Sequence, residues 1–102
     1  MFFLENLEII NSEKIFSNHF TVTCKYYGLL EKSQNLKWYL NEKSIDDSKV
    51  KFHISQIEMN HENTTVSVIE LTFNSVANLS CSYKNLLKTL QLNPSTGKSL
   101  LL

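Results

Sequence analysis

Hydrophobic and polar residues alternate with a period of two along most of the chain, which is the pattern of strands with one face turned to a core. The cleanest case is His19 to Tyr26, where Phe20, Val22, Cys24 and Tyr26 face one way and Thr21, Thr23 and Lys25 the other. A second strand is predicted from about Asn35 to Asn41, with Leu36, Trp38 and Leu40 inward and Lys37 and Tyr39 outward, after a loop over Gly28 to Gln34. Lys49 to Ser55 places Val50, Phe52 and Ile54 on one face and Lys49, Lys51 and His53 on the other. Thr64 to Phe73 is rich in β-branched residues, with Ile69, Leu71 and Phe73 inward. Val66 and Val68 break that parity, and a bulge or change of sheet near Ser67 would reconcile them. Asn78 to Tyr83 has Leu79, Cys81 and Tyr83 inward, and Leu86 to Leu92 follows a turn at Lys84-Asn85. Leu86, Leu87 and Leu90 also fit a helical turn, but strand is the better reading of this stretch. Leu4 to Ile10 reads as a weaker edge strand.

Six or seven short strands with no convincing long helix predict an all-β sandwich of two antiparallel sheets. A chain of 102 residues has room for one hydrophobic core, so one domain spans 1–102, with a folded core over about 4–93 and 94–102 as a boundary or tail. A core of this size gains from a covalent staple. Cys24 and Cys81 lie at inward positions of two different strands, and a bond between them would close a loop spanning 57 residues.

Around these cysteines the chain resembles the immunoglobulin superfamily over nearly its whole length. The resemblance rests on Phe-Thr-Val-Thr-Cys ending at Cys24, Leu-Lys-Trp-Tyr-Leu around Trp38 and Leu-Ser-Cys-Ser-Tyr around Cys81. It implies a Cys24–Cys81 disulfide between the B and F strands, with Trp38 on strand C packed against it. The residue two before the second cysteine, where the family usually has a tyrosine, is Leu79, and only seven residues separate Phe73 from Cys81. That shortened approach is closer to a divergent C2-like or I-like domain than to an antigen-receptor variable domain. The alternative for the cysteines is a pair of buried thiols in an intracellular structural domain.

Asn63-Thr64-Thr65 and Asn78-Leu79-Ser80 match the N-glycosylation acceptor pattern, whereas Asn93-Pro94-Ser95 has proline in the forbidden middle position. The sequons and the implied disulfide both point to an extracellular setting, on a cell-surface ectodomain or a secreted chain. Ten basic and ten acidic residues leave a net charge of zero, so nothing in the charge balance draws the chain to nucleic acid or to an anionic membrane. Gly97-Lys98-Ser99 has the tail of a phosphate-binding loop, but the first glycine of that motif falls on Leu92. His19, His53 and His61, even with Glu58 or Glu62, are spread over separate segments, which predicts no metal site. No nucleophile and base share a recognisable catalytic motif, and no cofactor is implied.

These features predict a non-enzymatic recognition or adhesion module of a receptor or adhesion protein, flanked by further domains of a longer chain. It would bind a protein ligand or a homophilic partner without inserting into a membrane. Tyr39, Lys37 and the loop from Glu31 to Asn35 are the candidate contact residues, because exposed aromatics anchor interfaces well. The alternative is an intracellular structural spacer with reduced cysteines.

Overall fold

A computed structural model of the chain describes residues 6–16, 18–32 and 34–102. The strands are β1 (Asn6–Phe16), β2 (His19–Tyr27), β3 (Lys37–Leu40), β4 (Lys43–Ser44), β5 (Lys51–Met59), β6 (Thr64–Thr72), β7 (Ala77–Tyr83), β8 (Leu86–Asn93) and β9 (Lys98–Leu101), with one short 3-10 turn over Ile45–Asp47. They form two antiparallel sheets, one of four strands in the order β1-β2-β6-β5 and one of five in the order β4-β3-β7-β8-β9. The chain is an all-β sandwich, with nine described strands where about seven were expected.

The two inner faces meet in one core, built by the inward residues of the alternating stretches: Leu7, Phe20, Val22, Cys24 and Tyr26 from β1 and β2, and Trp38, Ile69, Leu71, Leu79, Cys81, Tyr83, Leu90 and Leu92 from the other strands. Phe20 stacks on Phe73 at 5.3 Å, and Tyr26 meets Tyr83 edge-on at 4.8 Å. Lys84 and Asn85 form a tight turn in which Lys84 takes the positive φ of 54°, and the strand that follows pairs with β7 from Leu86 to Leu92.

The structure departs from the sequence pattern in four places. First, β6 runs unbroken from Thr64 to Thr72 against both β2 and β5, with no bulge or change of sheet at Ser67. The inward residues there are Thr65 and Ser67, both fully buried, while Val66 and Val68 sit half-buried on the outer face. Polar residues hold core positions because each hydroxyl has a hydrogen-bonding partner: Ser67 Oγ accepts from Trp38 Nε1 at 2.9 Å, and Thr65 Oγ1 donates to the Gly28 carbonyl at 3.3 Å. Second, Phe52 is inward by parity but 37% exposed, because β5 is the outermost described strand of its sheet and no described strand covers its flank.

Third, the opening strand is much longer than Leu4 to Ile10: Leu4 lies outside the described residues, and β1 continues to Phe16. Register shifts between Ile9 and Asn11 and between Lys14 and Phe16 make Ile10 and Ile15 extra residues of β1, which leaves both exposed. Fourth, the segment 94–102, expected as a boundary or tail, folds back through a turn. There Gly97 takes φ 74° and donates to the Asn93 carbonyl, and β9 then pairs with β8.

Candidate functional site

Cys24 and Cys81 are bonded, with their Cα atoms 6.5 Å apart, and the bond joins the middle of β2 to the middle of β7 across the sandwich. The neighbouring residues on the adjacent strands form a second link. Ser67 lies directly opposite Cys24 on β6, and Trp38 lies directly opposite Cys81 on β3. The Trp38–Ser67 hydrogen bond therefore crosses between the sheets beside the disulfide. One covalent rung and one hydrogen-bonded rung thus hold the two inner faces in register. This pair of rungs rigidifies β3 and β7, whose opposite sides form the outer face of the larger sheet.

That outer face carries the candidate contact residues. Lys37 is exposed and Tyr39 half-buried, and they alternate on β3 with the buried Trp38 and Leu40 as the period-two pattern requires. Tyr39 sits between Ser80 on β7 and Ser44 on β4, so two small neighbours leave its ring a shallow bed. Glu31, Asn35, Lys37 and Tyr39 all line one depression of about 280 Å³, together with Tyr83 and Lys84. A larger groove of about 650 Å³ opens on the other side of Lys37 and Tyr39, between β3 and the flank of β5, and is lined by Ile45, Asp46, Ile54 and Gln56 among others. The four residues singled out in the sequence are thus brought onto one surface.

Side chains that the sequence pattern did not single out fix the loop bearing Glu31 and Asn35. Tyr83 Oη accepts the Glu31 backbone N–H at 3.0 Å, and Lys84 Nζ pairs with Glu31 Oε1 at 2.9 Å while lying over the Tyr83 ring. Gln56 holds the other end of the loop, accepting from Leu36 N at 2.9 Å and donating to Asn35 Oδ1 at 3.0 Å. Tyr83 was legible as a core residue, but no local signal shows that its hydroxyl reaches a loop 52 residues earlier. The exposed Glu31–Lys84 pair contributes little to stability by itself. The buried-side anchors at Tyr83 and Gln56 position the loop.

Of the other sequence candidates, Asn78 shares this outer face. Asn63 is exposed, at φ 51° in the turn between β5 and β6. Asn78 is half-buried on the same outer face as Tyr39, two residues from Ser80 along β7, and Asn41 Oδ1 accepts its backbone N–H. His19 stacks on Phe16 and lies 3.1 Å from Thr72 Oγ1, whereas His53 and His61 are exposed on other elements. Among the described residues, no group of three or more His, Cys, Asp or Glu is placed to hold a metal ion. Gly97-Lys98-Ser99 forms a hairpin turn and the start of β9. On the smaller sheet, Tyr27 Oη donates to Glu8 Oε2 at 2.9 Å, and this bond, with burial and the Glu8 charge adding to it, holds the pKa of the phenol above its ordinary value.

Among the described residues no helix is long and apolar enough to cross a membrane. No family model, curated protein or solved structure matches this chain.

Proposed function

We propose that this chain is an immunoglobulin-type recognition module that works outside the cell and binds a protein partner through the outer face of the larger sheet around Tyr39. The strand order supports the immunoglobulin reading. With β1, β2, β5 and β6 taken as A, B, D and E, and β3, β7 and β8 as C, F and G, the two sheets have the constant-type arrangement, and the disulfide joins B to F beside a tryptophan on C. Strand β4 is then a two-residue C′, and β9 is an addition beyond G.

The observation that carries the functional reading is the convergence of Tyr39, Lys37, Glu31 and Asn35 on one depression whose loop is pinned by Tyr83 and Gln56. A half-buried tyrosine, set in a preorganised surface and flanked by Glu31, Lys37 and Lys84, suits an interface anchor. The disulfide supports an oxidising compartment, since such bonds persist there and are rare in reducing ones.

The test is a binding screen of the domain, produced in a secretory eukaryotic host, against an array of cell-surface ectodomains, followed by substitution. Tyr39→Ala is expected to weaken any interaction found by roughly 30-fold or more, the usual loss at an interface hot spot, whereas Ile57→Ser on the smaller sheet leaves it unchanged. Binding that survives Tyr39→Ala, or that Ile57→Ser removes, would overturn the assignment of this face.

The sequons give a second expected result. Intact mass before and after glycosidase treatment of the same material should show Asn63 modified, because it is exposed at a turn that leaves room for a glycan. Modification of Asn78 would place a sugar two residues from Tyr39's neighbour Ser80, on the binding face itself, so Asn78 should be the less occupied site. A bare Asn63 beside a fully modified Asn78 would contradict both expectations.

A further inference from the structure

Among the described residues the sandwich has four edge strands, and three of them carry features that discourage pairing with another chain. Strand β1 has two register shifts and the charged residues Glu8, Glu13 and Lys14. Strand β4 is two residues long, and β5 carries Lys51, His53 and Glu58 along its length. Strand β9 differs. It pairs with β8 in continuous register, and after Lys98 it reads Ser99-Leu100-Leu101 with no charge, proline or bulge. All four of its residues are exposed, Leu100 by 60% and Leu101 by 64%, and no described strand lies on its outer flank.

The backbone geometry of β9 selects what fits there. Leu102 N–H donates to the Thr89 carbonyl directly opposite it, so in the antiparallel alternation Leu100 and Leu102 turn their N–H and C=O groups toward β8. The N–H and C=O groups of Ser99 and Leu101 therefore point to the open flank. An antiparallel copy of the same strand, centred on Leu100, sets Ser99 of each chain opposite Leu101 of the other, and the two pairs exchange four backbone hydrogen bonds. Leu100 then faces its own counterpart at a non-hydrogen-bonded position, where side chains approach most closely.

We infer that a second copy of this chain docks on β9, forming a two-fold dimer in which the two five-stranded sheets join through antiparallel β9 strands. The formal net charge of zero means that no overall repulsion opposes the approach of identical copies. Leu87 and Leu100 lie on the same outer face of the sheet, since each alternates with inward residues of its strand, so the pairing gathers exposed leucines of both copies on one face. The contact is a short strand pairing, well below the area of a standard stable interface, so the dimer is weak and concentration-dependent. It is independent of the reading of Tyr39, but the two combine: joining the sheets points both Tyr39 faces the same way and makes the assembly bivalent toward a partner.

Sedimentation velocity on the 102-residue chain, from roughly 10 µM to 1 mM, should show the weight-average mass rising from one chain toward two. Leu101→Pro removes an N–H aimed at the open flank without touching any bond to β8, and should hold the protein monomeric across the range with an unchanged thermal midpoint. The register is tested by Leu100→Glu and Leu100→Lys. Each alone should be monomeric, because like charges meet across the axis, and an equimolar mixture should recover association as a mixed dimer. A wild-type chain that stays monomeric at 1 mM would overturn the inference, as would association that persists in Leu101→Pro. A mixture of the charged variants that associates no more than either alone would overturn the Leu100 register.

Discussion

Replacing both cysteines, as Cys24→Ala/Cys81→Ala, is expected to lower the unfolding free energy by about 4 kcal/mol, read as a fall in the urea midpoint with little change in slope. The magnitude follows from the loop that the bond closes. With the linked positions 57 apart in sequence, the unfolded chain loses roughly that much conformational freedom when cross-linked. Both sulfurs lie in the fully buried centre of the core, so the variant also gives up packing there, and the loss should not fall short of the entropic figure. Against the 5–15 kcal/mol typical of a domain of this size, the variant is left close to the edge of folding. A reducing agent should reproduce the effect on the wild-type chain and have no effect on the variant. An unchanged midpoint would mean that the bond contributes nothing to the folded state.

Ser67→Ala is expected to cost about 1–3 kcal/mol, far more than removal of a serine hydroxyl from a surface strand. Trp38 is 2% exposed and its indole N–H points to Ser67 Oγ at 2.9 Å, so the variant leaves a buried donor with no acceptor. Trp38→Phe loses the same hydrogen bond together with part of the ring volume. In the double variant neither partner remains to be left unsatisfied, so its destabilisation should fall short of the sum of the two single losses, by an amount that measures the coupling across the rung. Full additivity would show that the two side chains act independently. Because Ser67 and Trp38 flank Cys24 and Cys81 on neighbouring strands, the Ser67 effect should be larger in the cysteine-free background, where this hydrogen bond is the remaining direct link between the sheets at that level.

Both predictions concern residues whose roles were unequally legible. Cys24, Trp38 and Cys81 stand out because each occupies an inward position of a strand whose alternation is regular, and a period of two is a local property. Ser67 was not legible. Judged by hydrophobicity alone, Val66 and Val68 are better core residues, and the pattern suggested a bulge that the continuous ladder excludes. What turned Thr65 and Ser67 inward is the availability of Gly28 O and Trp38 Nε1 as partners, one 37 and the other 29 residues away in sequence. The valines remain on the outer face, where β-branched residues suit a pleated surface beside Thr23, Lys25, Ser55 and Ile57.

The surface around Tyr39 divides in the same way. That Lys37 and Tyr39 face away from Trp38 follows from parity and could be read directly. That Glu31 and Asn35 join them on one depression depends on Tyr83 and Gln56 reaching back to the loop, which no spacing reveals. Strand β9 was hidden for another reason: proline and glycine between Asn93 and Lys98 read equally well as a domain boundary or a hairpin turn, and only the fit of Leu101 opposite Leu90 distinguishes them.

By itself, then, the sequence determined the strand class, the position of most core residues and the inward placement of the two cysteines, because alternation acts within a single strand and needs no knowledge of its neighbours. The tertiary structure alone decided which polar residues are buried, which apolar ones are left exposed at the edges of β5 and β9, and which loop residues meet Tyr39. Those outcomes depend on hydrogen-bond partners and covering strands far away in the chain, and such partners exist only once the two sheets have closed on each other.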